Sequence, residues 1–307
     1  QGDHAMNYPD ALKGVIVAAR YIKQKIHHNY ADISKDYDGV AQTYDDHYSK
    51  CLLSGLRVFS QTASNNLQKN DSLKQCLELA AGTGESTRLL WDIEAIKKCE
   101  RYVLVDRSKK MLDRNKLKTS QRQETHGKTD YVVSDAIEYL KRQPANSFDA
   151  VFCAWGVCYI PASIMKDELS RILRPNGYVG IIENRVGTLR ELEKVLLTVV
   201  KKHPSMLEKA IPIELPKNSN AISKSYFPRS VETLSTYDGE ESVRLYDTDS
   251  IMKYIMESGI AAGYVDAIST NKKKYFIDCV ADEINDIGAE NLPIIHRYSI
   301  ATGINHQ

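Results

Sequence analysis

The segment Leu77-Glu78-Leu79-Ala80-Ala81-Gly82-Thr83-Gly84 combines an apolar strand pattern with a glycine-rich turn. Glu85, Ser86 and Thr87 follow it, and residues of these types begin helices. A strand, a Gly-x-Gly turn and a helix bring backbone N–H groups close to a ligand, at a point where a β-carbon would not fit. The segment therefore predicts a ligand-binding loop, although a tight loop without a ligand would have the same pattern.

Four further segments have the apolar pattern of buried strands. They are Arg101–Asp106, Tyr131–Asp135, Phe148–Trp155 and Tyr178–Asn184. Asp106 lies 22 residues after Gly84, where a nucleotide-binding α/β fold offers a carboxylate to ribose hydroxyls. Asp135 is a second acid at the end of a strand. The order predicts an α/β sheet of parallel strands whose ends form a nucleoside site.

This order of strands and acids resembles the Rossmann-like (class I) S-adenosylmethionine (SAM)-dependent methyltransferase family, over residues 70–185. The resemblance implies a seven-stranded Rossmann-like α/β sheet, SAM as the cofactor and methyl transfer as the activity. It also implies the residues that bind the cofactor, which are Glu78, Ala80, Gly82, Gly84, Asp106, Arg107, Asp135, Ala136 and Trp155. A dinucleotide-dependent dehydrogenase is the competing interpretation, but its fingerprint needs a third glycine where Thr87 stands.

The composition narrows the classes of partner. The net charge of the 307 residues is +1 and no basic stripe stands out, so nucleic-acid binding has little electrostatic support. We find no run of eighteen apolar residues and no signal peptide, and we expect no membrane partner. The six cysteines have no zinc-type spacing, which favours a reducing, cytoplasmic setting and no bound metal. The oligomeric state stays open.

The first part of the chain is predicted to be helical. Residues 1–6 resemble the remnant of a cleaved expression tag, and residues 7–68 are expected to form a helical N-terminal cover. In its first helix, over residues 9–28, six apolar side chains share one face. They are Leu12, Val15, Ile16, Ala19, Ile22 and Ile26. A tyrosine-dense stretch that includes Tyr37 and Tyr44 resembles the segment that closes over the cofactor in many small methyltransferases, although a polar helix start would explain it equally well.

The second half of the chain departs from a minimal methyltransferase. Residues 69–185 are expected to form the SAM-binding core, and residues 186–259 an inserted substrate cover between strands five and six. Residues 260–307 are expected to hold the last two strands of the core, over Ala262 to Thr270 and Ile294 to Ala301. An insertion at this place lies over the carboxyl ends of the sheet, where open α/β sheets bind ligands.

Four segments resemble one subfamily, the protein α-N-terminal methyltransferases. They are Trp155–Ile160, Leu173–Gly177 with Glu183-Asn184, Asp238–Arg244 and Glu290–Ser299. By implication, Asn184 would hold the substrate terminus, and Asp238 with Glu240 would bind and deprotonate the amine. The substrate-binding residues predicted with them are Trp155, Tyr159, Tyr37 and Tyr44. The chain differs from the subfamily in having Glu85 where an arginine is usual and Tyr159 where a histidine is usual.

The predicted reaction follows from the chemistry of the acceptor. A protonated amine cannot attack a sulfonium, so a carboxylate that binds the ammonium and accepts its proton favours an amine acceptor. The leading hypothesis is the α-amino group of a peptide or protein. The alternative is a small-molecule N-, O- or C-methyltransferase of secondary metabolism, which the long insertion and the tyrosine-rich segment favour. A non-catalytic SAM-binding scaffold is a second alternative, against which intact Gly82, Gly84 and Asp106 argue.

Overall fold

The computed structural model describes residues 10–31, 33–68, 73–120, 128–211, 213–260 and 262–307. The chain divides into two compact units, each built from separate stretches of sequence. The sheet unit comprises Ala41–Thr188, Ile213–Glu241 and His296–Gln307. The helical unit comprises Gln1–Val40, Leu189–Pro212 and Ser242–Ile295.

A seven-stranded sheet forms the centre of the sheet unit. Its strands are β1 (Gln75–Leu79), β2 (Arg101–Asp106), β3 (Thr129–Val133), β4 (Phe148–Ala154), β5 (Leu173–Asn184), β6 (Val231–Val243) and β7 (Ile294–Asn305). Their order is β3-β2-β1-β4-β5-β7-β6. Strands β1 to β5 pair in parallel, and β7 runs antiparallel to β5. The predicted seven-stranded α/β fold is confirmed.

Thirteen α-helices occur among the described residues. They are α1 (Asp10–Ile26), α2 (Ile33–Val40), α3 (Lys50–Leu67), α4 (Glu85–Leu90), α5 (Glu94–Lys97), α6 (Lys109–Thr119), α7 (Ala136–Arg142), α8 (Ala162–Ile172), α9 (Arg190–Lys202), α10 (Ser219–Tyr226), α11 (Thr248–Glu257), α12 (Ala262–Ala267) and α13 (Lys273–Ile287). A π-helical turn, Asp45–Ser49, precedes α3.

Both faces of the sheet are covered, because its central strands are apolar on both sides. On one face, Phe59 of α3 and Leu112 of α6 belong to the same buried cluster as Phe152 of β4. On the other face, Leu169 of α8 and Ile222 of α10 form a buried cluster with alternate residues of the strands. The order of strands turns in both directions from β1, which places a topological switch point between β1 and β4.

The sixth strand differs from the prediction. Residues 262–267 form α12, and the strand lies instead at Val231–Val243, inside the stretch that we predicted to be the inserted cover. Most of β6 is polar and exposed, so it carries no apolar signature, whereas a short apolar run such as Ala262 to Thr270 suits a buried helix equally well. Consequently α9 and α10 lie between β5 and β6, and α11 to α13 lie between β6 and β7. The covering roles proposed for residues 7–68 and 186–259 stay predictions.

Two predicted strand boundaries also change. Strand β3 ends at Val133, and Asp135 is instead the N-cap of α7. The turn predicted at Leu173–Gly177 belongs to β5, where the pairing with β4 shifts register and Asn176 has a φ of 62°. The residues between Leu173 and Tyr178 have no pairing partner in β4, so they form a bulge that interrupts the pairing locally before it resumes at Tyr178.

The first helix turns much of its predicted apolar face outwards. Leu12, Val15, Ile22 and Ile26 are exposed, with Val15 at 62% and Ile26 at 69%. The opposite side of α1 faces α9, and the Tyr21 hydroxyl donates to the Ile211 carbonyl at 3.1 Å. The prediction of a helix is therefore confirmed, and most of its predicted apolar face is exposed.

Candidate active site

The glycine-rich loop after β1 contains three residues with left-handed backbone geometry. Ala80 and Gly82 have φ values of 52°, and Gly84 has a φ of 93°. A β-carbon on Gly84 would come within 2.6 Å of the Asn115 side chain, so Gly84 is required by the packing of α6 against the loop. A β-carbon on Gly82 would meet only the Ala80 carbonyl, at 3.9 Å. The loop therefore has open space in front of Gly82, where a ligand can approach the backbone.

Asp106 joins the ends of β1 and β2. Its carboxylate accepts hydrogen bonds from the Gly82 and Ser108 N–H groups, each at 2.8 Å. Its carbonyl accepts from Ser134 N–H at 3.0 Å, which brings the end of β3 to the same edge. The three strand ends that we predicted to converge are therefore adjacent.

Asp135 lies at this edge, but its side chain has structural partners. One carboxylate oxygen accepts from Ile137 N–H at 2.9 Å and from Glu138 N–H at 3.2 Å, and so caps α7. The other oxygen is 3.6 Å from the exposed Arg107 guanidinium. Ala136 is the first residue of α7. These three predicted cofactor residues form one patch beside Asp106.

Glu78 is fully buried beneath the loop. The Tyr102 hydroxyl donates to its carboxylate at 3.2 Å. Burial raises the pKa of Glu78 to about 7, against the hydroxyls of Ser86, Thr87 and Tyr102, which lower it. Glu78 therefore lies under the start of α4, where it supports the loop from inside.

The loop is also held by an ionic group that the sequence did not indicate. Lys118 of α6 contacts Asp45 at 2.8 Å and Glu85 at 2.7 Å. The Thr83 hydroxyl donates to the other Asp45 oxygen at 2.5 Å. Burial raises the pKa of Glu85, but the hydrogen bonds and charges of Lys118 and Arg88 outweigh it and hold this pKa below its ordinary value. The chain thus accommodates an acid after its last loop glycine by placing a lysine beside it.

The turn after β4 packs directly on the glycine-rich loop. A β-carbon on Gly156 would lie 2.2 Å from that of Ala80, so the two loops touch at a position that only glycine can occupy. Trp155 has a φ of 57°, and its ring meets Tyr298 edge to face at 6.0 Å between centroids. Tyr159, in the 3-10 turn Val157–Tyr159, is 36% exposed. Trp155 and Tyr159 therefore lie beside the predicted cofactor loop.

The end of β5 carries a buried carboxylate that the sequence reasoning passed over. Glu183 accepts from Cys158 N–H at 3.1 Å and from Asn184 N–H at 2.8 Å, and burial raises its pKa to about 7. It therefore anchors the turn that follows Trp155. The sequence does indicate a functional residue here, because Glu183 ends a predicted parallel strand and acids at such positions reach the ligand edge. We predicted instead that its neighbour Asn184 holds the substrate terminus.

The acidic side chains of β6 form hydrogen bonds and an ion pair with α10 and β7. Asp238 accepts from Ser219 N–H at 2.8 Å and from the Ser299 hydroxyl. Glu240 is 3.3 Å from the Arg297 guanidinium and its side chain is 61% exposed. In the β5–β7 register, Asn184 is opposite Tyr298, and Glu183 is opposite Ser299. Asn184 therefore lies at the end of β5, and Asp238 and Glu240 lie in β6, with β7 between these two strands.

The two predicted tyrosines of the N-terminal stretch belong to different units. Tyr37 is half-buried in α2 of the helical unit, where a β-carbon on Gly259 would lie 3.2 Å from its ring. Tyr44 is half-buried in the sheet unit, next to the π-helical turn that begins at Asp45. A substrate role for either tyrosine stays a prediction.

The strand order and this loop define a Rossmann-like α/β domain with a ligand edge at the ends of β1, β2 and β4. Residues 77–181 match the family model of a methyltransferase domain. The residues present fit SAM, because the space in front of Gly82 adjoins the Asp106 carboxylate and the indole N–H of Trp155 is buried without a hydrogen-bond partner among the described residues. The chain therefore contains a SAM-dependent methyltransferase domain, and SAM is its cofactor.

Individual proteins similar to this chain can also be named. Mitochondrial 2-methoxy-6-polyprenyl-1,4-benzoquinol methylase of Caenorhabditis elegans is 25% identical over 173 residues, which cover 52% of this chain and 53% of that protein. The chain thus spans about half the length of this curated relative. Among solved structures, the YcgJ protein of Bacillus subtilis is 14% identical, with 81% of this chain and 98% of that chain covered and a TM-score of 0.47. Phosphoethanolamine N-methyltransferase 2 of Haemonchus contortus is 16% identical, with 88% and 57% covered and a TM-score of 0.45.

Proposed function

We propose that the chain catalyses methyl transfer from SAM to an amine, with the α-amino group of a peptide or protein as the leading acceptor. The use of SAM is supported mainly by the hydrogen bond between Asp106 and the Gly82 N–H group, because it joins an acid to a loop position that is open to a ligand. SAM supplies an electrophilic methyl group on a sulfonium. In this proposal, Asp106 accepts hydrogen bonds from ribose hydroxyls, the Gly82 and Gly84 loop approaches the methionine part, and the Asp135-Ala136 end of β3 meets the adenine.

The proposal that the acceptor is an amine rests on the positions of the four segments that resemble the protein α-N-terminal methyltransferases. Of the four segments, the first follows β4, the second lies in β5, the third lies mostly in β6 and the fourth leads into β7. These four strands are neighbours in the sheet, in the order β4-β5-β7-β6. In this proposal, Asn184 orients the substrate terminus, and Asp238 and Glu240 supply the negative charge that binds an ammonium and accepts its proton. Trp155 and Tyr159 line the acceptor channel. Transfer itself needs a neutral nucleophile in line with the breaking sulfur–carbon bond, so positioning and exclusion of water supply most of the rate.

Calorimetry with S-adenosylhomocysteine tests the cofactor site. We expect Asp106→Ala to weaken binding by about 1–3 kcal/mol, because ribose hydroxyls and the Gly82 N–H lose their acceptor. Asp113→Ala is the matched control, since Asp113 is an exposed acid on α6 that pairs with Lys109. Absence of binding heat in the unaltered protein at millimolar ligand would contradict the proposal and the SAM-binding scaffold alternative alike, whereas binding without methyl transfer to any acceptor would select the scaffold.

A methyl-transfer screen decides the acceptor class. Peptides with a free N-terminus are compared with the same peptides after N-acetylation, and with small amines, phenols and quinols. We expect only the free N-terminal peptides to accept methyl groups. Asp238→Asn and Glu240→Gln should then lower turnover by about 10²-fold while the affinity for S-adenosylhomocysteine stays the same, and Glu232→Gln on the same strand serves as the control.

The second candidate is a small-molecule methyltransferase. It is favoured by the similarity to a relative whose name assigns it a benzoquinol, and by the helices that are inserted on both sides of β6. Transfer to a phenol or quinol, with no transfer to peptides, would select this alternative. The cytoplasmic setting stays a prediction that cell fractionation can test.

A further inference from the structure

None of the described helices combines the length with the hydropathy that a transmembrane helix needs. Helix α1 nevertheless has an unusual distribution of side chains. Leu12, Val15, Ile22 and Ile26 are exposed, and at 100° per residue they fall within an arc of about 80°. Ala18 and Ala19, both exposed, lie within or next to this arc. We call this set the α1 apolar stripe.

This stripe is turned away from the packed side of the helix. Val17 and Tyr21 lie on the other side and are half-buried, and Tyr21 bonds to the Ile211 carbonyl within the helical unit. A surface helix normally places its most apolar arc against the core. Here the most apolar arc of α1 is the most exposed one, and contiguous exposed apolar surface of this kind marks an interaction site.

The charges beside the stripe indicate what covers it. Lys23 and Lys25 are exposed and lie on opposite sides of the stripe, with Ile22 and Ile26 between them on the helical wheel. The helix contains four basic residues and a single acid, Asp10, at its first position. A cationic helix with lysines on both edges of an apolar arc matches the interface of an anionic bilayer, where aliphatic side chains enter the acyl boundary and lysines reach the lipid headgroups.

A second copy of the chain is the competing occupant, because Leu12, Val15, Ala19, Ile22 and Ile26 follow the spacing of a coiled-coil seam. Coiled-coil partners place opposite charges along the edges of such a seam. Two copies of α1 would instead bring lysines near lysines, and the only acid of the helix lies at its end. Charge complementarity therefore favours anionic lipid.

We propose that α1 is an interfacial helix, which holds this protein on anionic membrane surfaces through the α1 apolar stripe and its flanking lysines. The helix lies on the membrane and does not span it. Membrane binding of this kind is separate from the proposed methyl transfer. The expectation of no membrane partner rested only on the lack of a long apolar run and of a signal peptide, and neither is needed for a helix that lies on the membrane surface.

Co-sedimentation of the full chain with vesicles tests the proposal. We expect binding to phosphatidylcholine vesicles that contain phosphatidylserine, little binding to phosphatidylcholine alone, and weaker binding at high salt. Ile22→Ser with Ile26→Ser should lower the partition coefficient by at least about tenfold, because these side chains no longer leave water favourably. Lys23→Gln and Lys25→Gln should each lower it by about fivefold.

Leu117→Ser is the matched control, because Leu117 is an aliphatic residue of α6 with 65% exposure. Circular dichroism and S-adenosylhomocysteine affinity verify that each variant is folded. Absence of binding to anionic vesicles overturns the proposal, as does equal loss of binding in Leu117→Ser. Light scattering that shows a dimer, abolished by the double serine variant in a protein without vesicle affinity, would assign the stripe to a second copy instead.

Discussion

Glu78 and Glu183 are both fully buried carboxyl groups at the carboxyl edge of the sheet, one on each face. Burial raises the pKa of each to about 7. A carboxyl group whose pKa is higher in the folded than in the unfolded state stabilises the fold while it is protonated. This contribution is complete below the unfolded value near 4.5 and is lost as the pH rises to about 7.

The first prediction concerns Glu183→Gln, which removes the charge. We expect the variant to lose part of the fall in stability between pH 4.5 and 7, and to be less stable than the unaltered protein at pH 4.5, because the amide NH2 cannot accept one of the two N–H hydrogen bonds of Glu183. Denaturant unfolding at a series of pH values measures this. Glu94→Gln is the control, since the Glu94 side chain is 70% exposed. An unchanged pH slope in Glu183→Gln would contradict the assignment.

The residues of the candidate site can be predicted only in part from the sequence. The Gly82 loop and Asp106 were found from local pattern, because the turn and the strand-ending acid are features of contiguous sequence. The hydrogen bonds of Asp238 with Ser219 and Ser299 could not be predicted from local pattern, because they join residues of three separate elements.

Among the secondary-structure elements, α6 has a role beyond covering the sheet. Its Asn115 fills the space beside Gly84, and its Lys118 links the π-helical turn at Asp45 to Glu85 at the start of α4. The side chains of this ionic group are only about one-fifth exposed. Loss of the lysine would leave two carboxylates close together in a site with little solvent.

The second prediction is that Lys118→Met destabilises the protein by about 1–3 kcal/mol and weakens S-adenosylhomocysteine binding, since the loop loses its link to α6. Lys109→Met is a matched control on the same helix, because Lys109 pairs with Asp113 where both side chains are more than half exposed. Such an exposed pair contributes less than about 1 kcal/mol. Equal effects of the two substitutions on unfolding and on ligand binding would contradict a specific role for Lys118.

The elements also show where a pattern is ambiguous. Strands β1, β2 and β4 were predicted within a few residues because buried parallel strands are continuous apolar runs. Strand β6 was missed because an edge strand with exposed polar residues has no such run, and α12 was mistaken for a strand because short apolar segments suit both structures.

For the whole molecule, the ligand edge lies entirely within the sheet unit. The residues of the predicted cofactor site come from the ends of β1 to β4, which are far apart in sequence but adjacent in the sheet. A ligand that binds the folded state and not the unfolded state suppresses local opening around its site.

The third prediction is therefore a pattern of hydrogen exchange. With S-adenosylhomocysteine at about 100 times its Kd, which adds about 2.7 kcal/mol of stability, we expect slower exchange in residues 79–87, 104–108 and 133–137. Residues 231–236 of β6, at the edge of the same sheet, serve as the internal control. Equal protection of both regions, or protection of β6 alone, would contradict the placement of the site.

The sequence by itself determined the α/β class, the succession of the first five strands along the chain and the place of the glycine-rich loop. These features depend on apolar runs, glycines and strand-ending acids, which are local in the chain. Only the tertiary structure decided the place of β6, the Asp45–Lys118–Glu85 group, the burial of Glu183 and the outward orientation of the α1 apolar stripe. Each of these depends on which distant segments pack together, because burial and pairing energies arise between elements and leave no periodic mark on a single segment.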